Sequence, residues 1–185
     1  YVRGQANDYD GWAQKGCLGW SWSDVLPYFM KAETRPEGNK SFRGNQGPLH
    51  ISDLTSPHPL ANLFIETAHS IGIKKNTDYN SGDQEGSFLY QTMIKNSMRW
   101  SASDAYLKPI LSKKNFKLLI KTYLHKIIFN NKKIESVIIK QGLNFKKIFI
   151  NKELILCAGA INSPQILQNN GIGNLSLIHI SEPTR

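Results

Sequence analysis

The run ELILCAGAINSPQILQNNGIG, from Glu153 to Gly173, constrains the fold of this chain more than any other segment. Leu154 to Cys157 are continuously apolar, the pattern of a strand buried on both faces of a mainly parallel sheet. Ala158, Gly159 and Ala160 follow. They leave the backbone almost bare, so another group can approach it closely. Ser163 suits an N-cap, and Pro164 suits the first helical turn, where a missing N–H costs nothing. Ile166 and Leu167 give that helix an apolar side, and Gly171 suits its end. In α/β sheets, the turn from a strand end into a helix start is where cofactors bind. The same pattern also serves an ordinary strand–turn–helix with no ligand, and spacing alone does not separate the two.

The remainder mixes helical and strand patterns. Residues 1–35 read as a loop followed by a helix. Ser23 caps that helix, Asp24 complements its positive end, and Pro27 sits in its first turn. RPEGNKSFRGNQGP (35–48) reads as a surface loop and Leu49 to Ile51 as a short strand. Leu60, Leu63, Phe64, Thr67, Ala68 and Ile71 recur at helical spacing, and Gly72 closes that helix. Phe88 to Met93 alternates as a strand does, and Ser101 caps a helix running past Leu107. Four further strands are expected at Phe116–Tyr123, His125–Phe129, Ile134–Lys140 and Phe145–Ile150, with turns at Asn130–Lys133 and Gln141–Gly142. There are no internal repeats and no low-complexity linker.

Composition narrows the function classes. An aromatic fraction of 10% with four tryptophans argues against disorder. No run of 18 apolar residues exists, so no integral membrane segment is expected. Cys17 falls in a Gly-rich loop and Cys157 in the expected buried strand. A disulfide is therefore not expected, and a reducing, cytoplasmic setting fits. Neither cysteine has a Cys or His partner at metal spacing, so no metal is expected. The net charge of +9 is concentrated between Lys108 and Lys152, which hold 12 lysines and one acid, Glu135. Such a density can mark a basic nucleic-acid-binding module. Here the lysines alternate with apolar residues, as on a solvated sheet face, and no Arg-rich run or RNA-binding aromatic motif accompanies them. No nucleic-acid partner is expected.

Several ordered motifs carry a family resemblance. GAINSPQIL followed by Gly171-Ile172-Gly173 resembles the second signature of the glucose–methanol–choline (GMC) flavin oxidoreductases. YVRG, DYDGWA and GWSWSDVLPYF resemble the segment after that family's first signature. GNQGPLHISD, DYNSGDQEGSFLYQ and RWSASDAYLKP resemble its middle region in order and spacing. The similarity covers about residues 1–174 and is strongest to choline-dehydrogenase-like and alcohol-dehydrogenase-like members. One departure is Asn170, where the signature usually has Ser.

The resemblance implies a mixed α/β fold: an FAD/NAD(P)-binding-type flavoprotein domain with an interleaved substrate domain, incomplete at both ends. Residues 1–35 and 113–174 would belong to the FAD-binding domain and 36–112 mainly to the substrate side. FAD is the implied cofactor and a small alcohol the implied substrate, with the electron acceptor left open. The implied reaction takes an alcohol to an aldehyde or ketone, with the hydride passing to the flavin. A lyase or a catalytically silent relative on the same fold is the alternative. Leu124 matches a position whose backbone meets the adenine, and it equally suits a core strand. Ala158 and Gly159 match positions packed close to FAD. Tyr90, Gln91 and Trp100 match the substrate-side segment, and Trp100 equally suits ordinary core. Arg99 is expected in a surface ion pair with Asp104 or Glu85. His50, His58, His69, His125 and His179 fall outside the family's catalytic motif, so no catalytic residue is assigned.

The family's Gly-x-Gly-x-x-Gly fingerprint is absent from the sequence, and its catalytic His belongs to a C-terminal part beyond Arg185. The chain therefore reads as a central fragment, inactive alone, and Tyr1 in place of an initiator Met agrees. SLIHISEPTR at the end (176–185) matches no family pattern, and residues 175–185 read as a non-native tail.

Overall fold

A computed structural model describes residues 1–173; the expected non-native tail lies outside the described residues. Tyr1–Phe116 form one compact unit, and a second begins at Lys117.

The first unit opens with two helices where a loop and one helix were expected. Helix α1 spans Ala6–Gln14, and the Gln5 N–H donates to Asp8 Oδ2 at 2.7 Å. Helix α2 spans Trp22–Ala32 and is capped by Ser21, not Ser23. Only Ser21 stands three residues before Asp24. The Asp24 N–H donates to Ser21 Oγ at 3.3 Å, and the Ser21 N–H donates to Asp24 Oδ2 at 3.1 Å. Pro27 consequently lies inside the helix, where its missing N–H removes one intrahelical bond. The Trp22 N–H donates to Asp10 Oδ1 at 2.8 Å, so Asp10 ties the two helices together. The Tyr9 ring lies 5.3 Å from Trp12 and 5.7 Å from Phe29 between them.

Strand β1 (Glu33–Thr34) pairs parallel with β2 (Leu49–His50), as expected for residues 49–51. Leu49, Ile51 and Ala105 form a small core, with Tyr1, Met93 and Trp100 packed against it. Helix α3 spans Pro59–Ser70, capped by the His58 ring, and matches the expected helix. Its burial does not follow the expected stripe. Ala68 is buried, whereas Leu60, Leu63, Phe64 and Ile71 are exposed. The segment 88–93 contributes only the Ser52–Thr92 bridge. The local sheet is instead a hairpin of β3 (Ile94–Lys95) and β4 (Met98–Arg99). Asn96 and Ser97 at its turn have φ of 50° and 60°, the geometry that suits a tight hairpin. A π-type turn spans Ser103–Leu107, with Ala102 in the N-cap position, and the Asp104 N–H donates to Ser101 Oγ at 3.4 Å.

The second unit is an antiparallel meander of β5 (Thr122–Asn130), β6 (Lys133–Gln141) and β7 (Asn144–Phe149), in that order. The two strands expected at 116–123 and 125–129 are a single strand. Thr122 already pairs with Gln141, the last residue of β6, so nothing earlier is in register. The expected break near Leu124 is a bulge at His125 between the pairs Leu124–Ile139 and Lys126–Ile138. Ile127 and Val137, cross-strand neighbours, are buried.

Helix α4 spans Gly159–Asn169, with Ala158 in the N-cap position, five residues earlier than the expected cap Ser163. The expected buried strand 154–157 does not form. Leu154 and Leu156 are half-buried, while Ile155 and Cys157 are exposed. A strand needs a ladder partner for its backbone groups, and none among the described residues pairs with this segment.

Candidate functional site

In the second unit the turn into α4 is held by a side chain. The Ala158 N–H donates to Ser163 Oγ at 3.0 Å, so Ser163 braces the helix start from inside the helix and does not cap it. Gly159, the first residue of α4, has φ of +88°, a conformation that suits glycine. A Cβ built there meets no heavy atom within 4 Å, so the space in front of this backbone is open. Both properties fit a group that rests against the main chain. Leu124 is half-buried on β5, an edge strand of the meander, directly before the bulge. An edge strand leaves one side of its backbone free of ladder partners, as a backbone contact to a ligand requires. The two sequence-predicted cofactor segments therefore both lie in the second unit.

Tyr90, Gln91 and Trp100 lie in the first unit, in three different settings. Tyr90 is exposed, its ring edge-on to Phe88 at 5.7 Å. Gln91 is 1% exposed, and its polar groups are engaged within the protein. Its amide N–H donates to the Tyr79 hydroxyl at 2.7 Å and its Nε2 to Asp78 Oδ1 at 3.1 Å. Its Oε1 accepts from Arg43 Nη2 at 3.1 Å. Trp100 packs on the Leu49 core and donates Nε1–H to the Pro48 carbonyl at 2.8 Å.

Gln91 belongs to a buried polar cluster that sequence reasoning missed. Glu33 lies at its centre, with no side-chain exposure, and receives Arg3 and Arg43. Arg43 also reaches Asp78 at 3.2 Å. The Arg3 N–H donates to Asn80 Oδ1 at 2.9 Å, and the Tyr79 hydroxyl donates to the Tyr1 carbonyl at 2.8 Å. Burial pushes the Tyr79 hydroxyl above its ordinary pKa, which keeps it a neutral donor. The charged members are far apart in sequence, Glu33 at the end of an expected helix and Arg3, Arg43 and Asp78 in segments that read as loops, so no local pattern announces them. Beside this cluster, a cleft of about 260 Å³ opens at the start of α1, lined by Arg3, Gly4, Gln5, Asn7, Tyr79 and Gln84.

The histidines keep structural settings. His58 caps α3, His50 stands edge-on to Trp100, and His125 packs edge-on against Phe145. His69 contacts the Ile73 carbonyl through Nδ1, and His179 lies outside the described residues. Burial, with Lys95 nearby, lowers the His50 pKa. Arg99 makes no ion pair with Asp104 or Glu85, because Asp104 is taken by Lys108, one helical turn away. The twelve lysines of 108–152 are all exposed. Lys146 aligns with Ile139, and Lys147 with Ile138, so the strands carry lysines on both faces of the sheet. Among the described residues, no cluster of three or more His, Cys, Asp or Glu gathers as a metal site, and no helix is long and apolar enough to cross a membrane.

A GMC oxidoreductase family model matches residues 1–182. The oxygen-dependent choline dehydrogenase of Brucella anthropi is 42% identical over 173 residues, covering 94% of this chain and 31% of that protein. Its Sinorhizobium fredii namesake is 39% identical over the same coverage. Among solved structures, pyridoxine 4-oxidase from Mesorbium loti superposes with a TM-score of 0.86 at 30% identity, covering 97% of this chain and 36% of that one. An FAD-dependent oxidoreductase from Chaetomium thermophilum gives 0.87 at 29% identity, covering 97% and 34%. The fold thus has counterparts among solved oxidoreductases, one of them FAD-dependent by its description. The chain belongs to the GMC oxidoreductases, and it spans about a third of the length of the curated relatives it matches.

Proposed function

We propose that this chain supplies part of the cofactor site and part of the substrate side of an FAD-dependent oxidoreductase that converts a CH–OH group to a carbonyl. The observation that carries the reading is the open, left-handed backbone at Gly159, braced by Ser163, within a family-matched segment. Residues 1–35 and 113–174 belong to the cofactor side in this reading, and 36–112 mainly to the substrate side. Ala158 and Gly159 lie against the cofactor, and Leu124 meets its adenine through the main chain. FAD, when bound, supplies the hydride acceptor. The chain's own part is to hold the cofactor and shape the pocket. Tyr90 and Trp100 stand on the substrate side, and Gln91 acts there only through the buried cluster that consumes its polar groups. The names of the relatives support a small alcohol as substrate, choline for some and pyridoxine for another.

The test is an FAD titration of the purified full-length gene product, followed by absorbance and flavin fluorescence. Saturable binding at one site, with bleaching of the flavin band when an alcohol substrate is added without oxygen, is the expected result. A protein that stays colourless after incubation with FAD would overturn the reading.

A further inference from the structure

Asn170 ends α4 at a position where the chain departs from the signature it resembles, and its side chain has two partners. Its Oδ1 accepts the Ile127 amide N–H at 2.7 Å, and its Nδ2 donates to the Ile166 carbonyl at 2.8 Å. Ile127 lies on β5, is buried, and follows the His125 bulge by two residues. Its N–H points away from the β6 ladder and would otherwise be an unpaired donor on a sheet edge. Ile166 lies in α4, the helix that Gly159 opens. One carboxamide therefore joins the edge strand that carries Leu124 to the helix that carries Gly159.

We infer that Asn170 is a positioning residue for the dinucleotide, a clip that fixes β5 against α4 so that the main chain at Leu124 and at Gly159 is presented in one geometry. This rests on the FAD reading above. The clip has a chemical rationale. A bulge leaves the local register loose, and a bond from the bulged strand to a neighbouring helix removes that freedom. Both of its hydrogen bonds are short and partly buried, where losing an acceptor leaves a donor unsatisfied. Asn170 does not touch the flavin in this proposal and takes no part in the chemistry.

Three variants separate the clip from a general role in stability. Asn170→Ala removes both bonds. Asn170→Asp keeps the acceptor for Ile127 but loses the donor to Ile166 and places a negative charge at the helix C-terminus, which disfavours α4. Ile148→Ala weakens β7, which pairs with β6 and not with β5, and leaves the clip untouched. Amide exchange at Ile127 and FAD affinity would be measured on each full-length protein. The expected result is faster exchange at Ile127 and roughly tenfold weaker FAD binding in Asn170→Ala. Asn170→Asp should stay within about twofold of the parent, as should Ile148→Ala at matched loss of thermal stability. Equal FAD affinity in the parent and Asn170→Ala would overturn the clip and leave the FAD reading standing. Asn170→Asp as weak as Asn170→Ala would also overturn it, since helix stability would then explain both. A parent that binds no FAD would overturn the underlying reading and this inference with it.

Discussion

Arg3 Nη2 lies 2.7 Å from Glu33 Oε1, with both side chains sealed from solvent. Arg43 Nε reaches the same oxygen at 3.0 Å, and so does the Gly44 N–H. Glu33 therefore ties the first residues of the chain to the end of α2 and to the 39–47 loop. Removing its charge would leave two buried guanidinium groups facing each other. Glu33→Gln is expected to destabilise the protein by about 3–5 kcal/mol, read as a lower urea midpoint. An unchanged midpoint would mean that Arg3 and Arg43 find other partners.

Gly44 and Gly47 pack against the last turn of α2. A Cβ at Gly44 would overlap the Met30 carbonyl, and one at Gly47 would overlap the backbone of Ala32 and Glu33. Neither obstacle is a side chain that could rotate away. Gly44→Ala and Gly47→Ala should each cost at least about 3 kcal/mol, seen as loss of soluble expression or a lower melting temperature. Gly11→Ala, where a Cβ meets nothing, should be neutral or mildly stabilising, and serves as the control.

Asp104 accepts hydrogen bonds from Lys108 and from the Ser101 hydroxyl and amide. These hold its carboxyl well below the usual carboxylate range, with the Lys108 bond the largest cause. For a carboxyl depressed in the folded state, the stabilisation is present above the ordinary pKa of about 4 and is lost as pH falls through and below it. Stability curves between pH 6 and pH 3 should therefore steepen in the parent and flatten in Asp104→Asn. Identical slopes would show that the group titrates normally.

Asn96 and Ser97 both hold positive φ in the β3–β4 turn. Asn accepts that geometry readily, whereas Ser does so less well. Ser97→Gly is expected to raise stability by about 0.5–1 kcal/mol, read by thermal melting. A fall in melting temperature would show that the serine side chain matters more than its backbone.

At the proposed cofactor site, the two positions should respond differently. Gly159→Val fills the open space and strains a left-handed backbone, so FAD affinity in the full-length protein should fall at least about tenfold. Leu124→Val leaves the main chain unchanged, and affinity should stay within about twofold. The opposite order, measured by isothermal titration, would remove the backbone-contact assignment.

Local chemistry was readable wherever a residue acts on its own neighbours. The α3 helix, the β6 and β7 strands and the Asn131 and Gly142 turns all appeared near their expected places. Family motifs, read in order, supplied the class and the cofactor expectation from sequence alone. Boundaries shifted where two candidates competed. Ser21 displaced Ser23 because only Ser21 has Asp24 at the right spacing, and α4 began at Gly159 because Ser163 could brace that turn from within the helix.

The long-range pairings had no sequence signal. Arg3, Glu33, Arg43, Asp78 and Gln91 converge from five separate segments, and nothing in any one of them specifies its partners. The apolar run 154–157 has the composition of a buried strand but no ladder partner among the described residues, so composition alone could not make it one. Asn170 reads as a mismatch in a signature, and only its 2.7 Å bond to Ile127 shows what it joins. Sequence alone determined the local elements and the family, because hydrophobic period, caps and turns act over a few residues. Tertiary structure decided which buried charges meet and which backbone stays open, because those depend on chain segments that become neighbours only on folding.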